Sequence, residues 1–283
     1  MNNSQQIKRI TTILLLLIFC SNCFAQQSAN KIATEEDLKE NLKTVPCINS
    51  ERLEAVKKLY QKMGASDSDI FIEKFGNIQN LVVTKKGKTD ETIIVGAHYD
   101  KVSDGCGAID NWSGIVIVAN LYKTIRNFPT EKTYKFVAFD QEEAGLLGSN
   151  EMAKAIPKEQ RIKYCSMINL DSFGFNYPQV LTNTSNSKMT VFAKNLAKEI
   201  KMPFSEASLF GTADADSTSF LDKDIPAITF HGLSNDWQKY LHTSKDKLEN
   251  INTGSVFVGY QFILQYLTKL DSSNCTVFRK QNK

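Results

Sequence analysis

Two hydrophobic periods take turns along this chain. Apolar residues spaced three and four apart mark an amphipathic helix near Ser50 to Met63, and the runs NLVVTKK (from Asn80) and TIIVGAHYD (to Asp100) read as two strands joined in a hairpin. A helix near Ser113 to Ile125 follows, then a buried strand from Tyr134 to Phe139, a helix over about 144–155, the strand SMINLD ending at Asp171, and a short strand at Gln179 to Thr182. The remainder gives a helix near Ser187 to Ile200, the strand AITFH ending at His231, and a last helix from about Gly254 to Leu270. Strands alternating with helices predict an α/β fold: a single domain with a mixed, mostly parallel sheet sandwiched between helices. No internal repeat, low-complexity tract or Pro/Gly-rich linker divides it.

Several predicted strands finish in residues that bind or transfer protons. The segment KFVAFDQEEAGLLGS places Asp140, Glu142 and Glu143 at the carboxyl end of a strand, where open α/β sheets put their ligands. Acidic residues also collect at helix N-termini, because the helix dipole favours them there, so this segment alone does not decide the matter. The other strand ends do. IIVGAHYD finishes in His98 and Asp100, GAIDNWSG places Asp110 just before a helix, INLD ends in Asp171, and YLHTSKD adds His242. In a parallel sheet these segments converge on one edge. Two imidazoles among several carboxylates form the nitrogen and oxygen donor set that zinc accepts.

The amino end stands apart. Lys8 and Arg9 precede the apolar run ILLLLIFC, and CFA precedes Gln26, which is the pattern of a cleaved secretory signal over residues 1–25. The run is too short for a stable membrane span, which needs ~20 apolar residues. A lipid anchor at Cys20 or Cys23 fits less well, because Phe19 and Asn22 precede those cysteines. The mature chain is then 26–283, with 26–45 a charged, loosely packed lead-in, in a secreted or periplasmic location. Loss of Lys8 and Arg9 lowers the net charge from +3 to +1, and without a basic block nothing supports nucleic-acid binding. Cys47, Cys106, Cys165 and Cys275 remain, enough for two disulfides. Cys165 begins a strand whose far end carries Asp171, ~20 Å away at strand rise, while Cys106 lies in a loop on the Asp171 side, so a Cys106–Cys165 bridge is disfavoured. The other two connectivities stay open.

From His98 to Asp246 the motifs, in order and spacing, resemble the secreted co-catalytic di-zinc aminopeptidases, a family that also contains the zinc-dependent glutaminyl cyclases. The resemblance implies two zinc ions per chain, with Asp110 bridging them, His98 and Asp171 completing one site, and Glu143 and His242 the other. It further implies Glu142 as the general base and Asp100 as the partner that orients His98. Chemistry agrees with these roles: paired divalent ions need an anionic bridge, and a ligating imidazole wants its other ring nitrogen held. The implied activity is a zinc-dependent metallopeptidase acting on peptide amino-termini, with a glutaminyl-peptide cyclotransferase on the same scaffold as the alternative. A non-catalytic binder would not need Glu142, and the resembling animal cyclases work with one zinc. Where that family carries a tyrosine directly before the last histidine, this chain has Leu241, with Tyr240 one residue earlier. Asp216, in DADSTSF, resembles the family's Ser-Asp segment, with Asp214 as a competing match. Asp140 and Trp112 read as structural, His231 as a cap or core residue, and Asp246 either as support for His242 or as a surface acid. His-Glu-x-x-His, Gly-x-Ser-x-Gly and the phosphate-cradling Gly-x-x-x-x-Gly-Lys are absent.

Overall fold

The computed structural model describes residues 32–208 and 214–279, and Thr34–Lys283 forms a unit separate from Met1–Ala33. The signal reading over residues 1–25 therefore lies outside the described residues. Eight strands form one sheet in the order β1-β2-β4-β3-β5-β8-β6-β7. They are β1 (Ile70–Phe75), β2 (Ile78–Lys85), β3 (Thr92–His98), β4 (Thr133–Phe139), β5 (Tyr164–Leu170), β6 (Gln179–Leu181), β7 (Ser205–Ala207) and β8 (Ala227–His231). The central strands β4, β3, β5 and β8 run parallel, and antiparallel pairs lie to either side, at β1–β2, β2–β4 and β6–β8.

Helices cover both faces. On one face lie α3 (Ser113–Ile125) and α7 (Thr253–Asp271), whose Tyr122 and Tyr266 rings sit 5.5 Å from Phe136 and 5.1 Å from Phe230. On the other, Met152 of α4 (Leu147–Ala155) and Phe220 of α6 (Asp216–Leu221) join Ile94, Val137, Phe139 and Met167 in one buried cluster. The central strands thus present alternate residues to two apolar layers, which explains why β3 is buried along its whole length. Gly96 in β3 has to be glycine, because a Cβ there would lie 2.4 Å from the Phe139 ring. Helices α1 (Glu35–Leu42), α2 (Asn49–Lys62) and α5 (Ser187–Glu199) complete the set used below.

Besides adding the short elements β7 and α6, the structure differs from the sequence reading in three places. First, β2 and β3 do not form a hairpin: β4 inserts between them, and β2 instead pairs with the unforeseen strand β1. The connecting stretch is drawn aside by main-chain bonds from Lys88 and Thr89 to Thr130 and Glu131, at 3.0 and 2.9 Å. Second, residues 35–42, within the expected loose lead-in, form α1, with Leu38 and Leu42 fully buried. Its start is a capping box, with the Asp37 amide donating to Thr34 Oγ1 and the Thr34 amide donating back to the Asp37 carboxylate. Third, the helix expected from about residue 144 begins at Leu147, because Gln141, Gly145 and Leu146 take positive φ and make a turn first. The cysteines pair as Cys47–Cys106 and Cys165–Cys275, consistent with the excluded Cys106–Cys165 bridge. Among the described residues no helix is long and apolar enough to cross a membrane.

Candidate active site

Parallel register brings the predicted side chains together. His98 pairs with Phe139 across β3 and β4, and Leu170 with Phe230 across β5 and β8, so His98, Asp140, Asp171 and His231 all emerge at one sheet edge. The next residues along the chain build on that edge. Asn80 holds the turn after β4 from below: its Oδ1 accepts from the Asp140 amide at 3.0 Å and its Nδ2 donates to the Gly148 carbonyl at 2.8 Å. Asp140 accepts from the Gln79 amide at 2.8 Å, the structural role expected of it. Above, the Asp100 carboxylate accepts from the Glu142 and Glu143 amides at 3.0 and 3.2 Å. The Glu142–Glu143 pair is thereby fixed from both sides.

Asp110 is the centre of the cluster. His98 Nε2 lies 3.1 Å from its Oδ1 and His242 Nε2 lies 3.2 Å from its Oδ2, so the two imidazoles address different oxygens of one carboxylate. Asp171 Oδ1 stands 3.7 Å from His98 Nε2, and Glu143 Oε2 stands 3.2 Å from His242 Nε2. Ligands each ~2.1 Å from a tetrahedral ion would stand roughly 3.4 Å apart. The observed spacings fit that demand at two places that share Asp110: His98, Asp110 and Asp171, and Asp110, Glu143 and His242. Among the described residues, Glu143 Oε1 is also buried without a hydrogen-bond partner. A cation would satisfy it. Glu142 Oε2 reaches to 3.9 Å from His98 Nε2.

The electrostatics show what such a cluster does when no cation balances it. Burial opposes a proton on His98, but the charge of Glu142 and the bonds to Asp100, Asp110 and Asp171 hold the imidazole well above the ordinary histidine range. Hydrogen bonds to Asp110 and Glu143 push His242 up to about 10. Asp110, despite burial, is held well below the usual carboxylate range by its bonds to both histidines. Burial, with Asp216, Asp171 and Asp110 adding negative charge, lifts Glu142 well above its ordinary value against the pull of His98. A carboxyl raised in this way holds a proton more readily than an ordinary glutamate, as a group that takes up and releases protons must.

The surrounding residues sort themselves by contact. His98 Nδ1 lies 3.2 Å from the main-chain oxygen of Asp100 and 3.5 Å from its carboxylate, so Asp100 orients the ring as well as the glutamate turn. Asp246 is neither a support for His242 nor a surface acid: it is buried, and accepts from the Ile109 and Asp110 amides at 2.6 and 3.2 Å. Burial pushes its carboxyl up to about 6. No local pattern announces this role, since the partners lie far apart in sequence. Asp214 is exposed, whereas Asp216 is fully buried, with neither oxygen partnered among the described residues, and burial pushes it up to about 7. His231 caps its own strand, its Nδ1 accepting from the Leu233 amide at 3.3 Å, and burial brings it down to about 4. Tyr240 packs its ring 4.8 Å from Phe175, in an apolar cluster with Leu233 and Leu241. Trp112 is fully buried, as a packing residue would be. A cleft of about 770 Å³ opens beside Asp100 and Glu143.

A β-sheet edge carrying paired imidazole–carboxylate sets defines a candidate metal centre in an α/β fold. The pattern of Peptidase family M28 matches residues 80–266, about two-thirds of the chain, and the chain belongs to that family. It is 28% identical over 242 residues to "Probable leucine aminopeptidase" of Arthroderma otae, a match covering 77% of this chain and 64% of that protein. The chain thus spans less than two-thirds of that relative's length. Its fold is similar to that of BSAP, a zinc aminopeptidase from Bacillus subtilis, with a TM-score of 0.62, 22% identity, and coverage of 72% of this chain and 53% of the other. It is also similar to Acidobacteriales bacterium glutaminyl cyclase, with a TM-score of 0.71, 16% identity, and coverage of 86% and 97%.

Proposed function

We propose that this chain is an exported, zinc-dependent aminopeptidase that holds two zinc ions and removes residues from peptide amino-termini. The observation that carries the reading is the Asp110 carboxylate, each of whose oxygens faces a different imidazole. His98 and Asp171 would hold one ion and Glu143 and His242 the other, with Asp110 shared. Ions bound there supply Lewis-acid chemistry, polarising the scissile carbonyl and making water a better nucleophile at neutral pH. Glu142 does the proton work: its carboxylate takes a proton from the attacking water and returns it to the departing amine. Asp100 keeps Glu142 in place through the main chain. The similarity to a leucine aminopeptidase and to a zinc aminopeptidase fold supports the choice of metal and of peptide amino-termini.

A second reading, glutaminyl-peptide cyclotransferase, draws on the cyclase chain that this one covers almost fully. Products separate the two. A panel of aminoacyl peptides and peptides beginning with glutamine, given to the purified zinc form, yields free amino acids if the first reading holds. Ammonia and a pyroglutamyl peptide, without hydrolysis, would replace it with the second.

Metal uptake should be coupled to proton release. In the ion-free cluster both imidazoles are held above their ordinary pKa, which favours their protonated form, whereas a ligand must be neutral. Zinc affinity should therefore rise with pH, with a net release of protons on binding. Calorimetry in buffers of different ionisation enthalpy measures this release, and a value near zero would show that the imidazoles are already neutral before the metal binds.

Export rests on the charged and apolar pattern of residues 1–25, supported by two disulfides that an oxidising compartment favours. The mature protein should begin at or close to Gln26. Intact mass of the exported form checks it, and retention of Met1 or a diacylglyceryl cysteine would reject it.

A further inference from the structure

The chain from Tyr99 to Gly107 joins His98 to Asp110 and contains neither helix nor strand. Its anchorage comes from the start of α2. Arg52 is 0% exposed, and its guanidinium donates to four main-chain carbonyls: Nε to Tyr99, Nη1 to Pro46 and Cys106 at 2.9 Å each, and Nη2 to Gly107 at 3.1 Å. Three residues earlier, Asn49 grips the same loop from outside, donating to the Lys101 carbonyl at 2.7 Å and accepting from the Lys101 amide at 3.0 Å. Two of the Arg52 acceptors bracket the loop: Tyr99 follows His98, and Gly107 lies three residues before Asp110. Gly107 adopts φ 59°, and a Cβ there would approach Arg52 Nη1 to 3.2 Å.

A buried guanidinium is costly unless its donors are met, and here the acceptors are carbonyls of a single strap and its disulfide neighbour. Asp100, Asp110, Asp246 and Glu143 are close enough to favour its charge, yet no salt bridge joins Arg52 to any of them among the described residues. The fork serves the backbone. We infer that Arg52 is a positioning residue for the metal site, its planar fork fixing the loop from Tyr99 to Gly107 and with it the separation of His98 from Asp110. This rests on the reading that His98 and Asp110 hold a cation. Arg52 lies outside the residues matched by the family pattern.

The test compares Arg52→Met, Arg52→Lys and Asn49→Ala with the parent chain, measuring zinc affinity by competition with a chromogenic chelator and thermal stability of the zinc-free protein. Groups that orient metal ligands typically contribute 10- to 100-fold in affinity, so Arg52→Met should weaken zinc binding by about that factor. Arg52→Lys restores the charge without the fork, and should still lose about tenfold. Asn49→Ala, which leaves the guanidinium in place, should give a smaller loss in the same direction, and serves if Arg52→Met does not fold. A Cys165→Ala/Cys275→Ala control lowers stability at the opposite end of β5 and should leave zinc affinity unchanged. If the Arg52 variants melt lower but bind zinc within twofold of the parent, Arg52 stabilises the fold alone and the inference fails. Tighter binding by Arg52→Met, with Arg52→Lys like the parent, would mean that only its charge matters, which also overturns it. A parent chain that binds no zinc would instead defeat the metal-site reading itself.

Discussion

Glu142→Gln is expected to leave zinc content unchanged and to lower turnover by about 100- to 10,000-fold. The substitution keeps size and hydrogen-bonding capacity but removes the proton acceptor. The amide of residue 142 still donates to Asp100, so the turn keeps its shape. Because the proton moves in the transition state, the loss should appear in kcat with KM little changed. Glu143→Gln should behave differently. Its Oε2 lies 3.2 Å from His242 Nε2 and its Oε1 is buried and, among the described residues, unpartnered, the position of a ligand, so the variant should lose metal and regain part of its activity in excess zinc. Steady-state kinetics with elemental analysis, at several zinc concentrations, distinguish the two. Rescue of the Glu142 variant and not of the Glu143 variant would exchange their roles, and full activity of both would remove the metallopeptidase assignment.

Of the candidate ligands, His98 and Asp171 were legible because they sit where a parallel sheet must bring them. β3, β4 and β5 each end in a short run of apolar residues followed by a donor, and parallel register aligns those ends whatever the loops do. What escaped was set by contacts distant in sequence. Asp246 supports the amides of Ile109 and Asp110, residues more than a hundred positions away, and nothing near Asp246 distinguishes it from a surface acid. β1 escaped because its exposed edge carries Phe71 outward among charged residues, which blurs the alternation that marks a half-buried strand. The β2–β3 hairpin failed for a related reason: two adjacent apolar strands satisfy the local pattern equally well whether they pair or admit a third between them. α1 was hidden by its charge. Its first turn holds Glu35, Glu36 and Asp37, which suit a helix N-terminus and also resemble a disordered lead-in.

Asp110→Asn should have the largest effect on metal content. The carboxylate faces His98 through one oxygen and His242 through the other, and it is the only residue shared by the two candidate ligand sets. An amide of the same shape offers one oxygen and no negative charge, so it cannot offset the repulsion between two divalent ions a few ångströms apart. It also leaves the supporting bonds from the Ile109 and Asp110 amides to Asp246 intact, so the loop itself should persist. On the proposed two-zinc reading, zinc content should accordingly fall toward none, and excess zinc should not restore activity. His98→Ala and His242→Ala remove ligands from one set each, and each should retain about one ion. The comparison is made by elemental analysis after dialysis against trace zinc, with circular dichroism to confirm that each variant is folded. If Asp110→Asn keeps both ions, Asp110 is not the bridge. If His98→Ala and His242→Ala deplete the same ion, the two sets are one site, and the single-zinc reading associated with the cyclase alternative takes precedence.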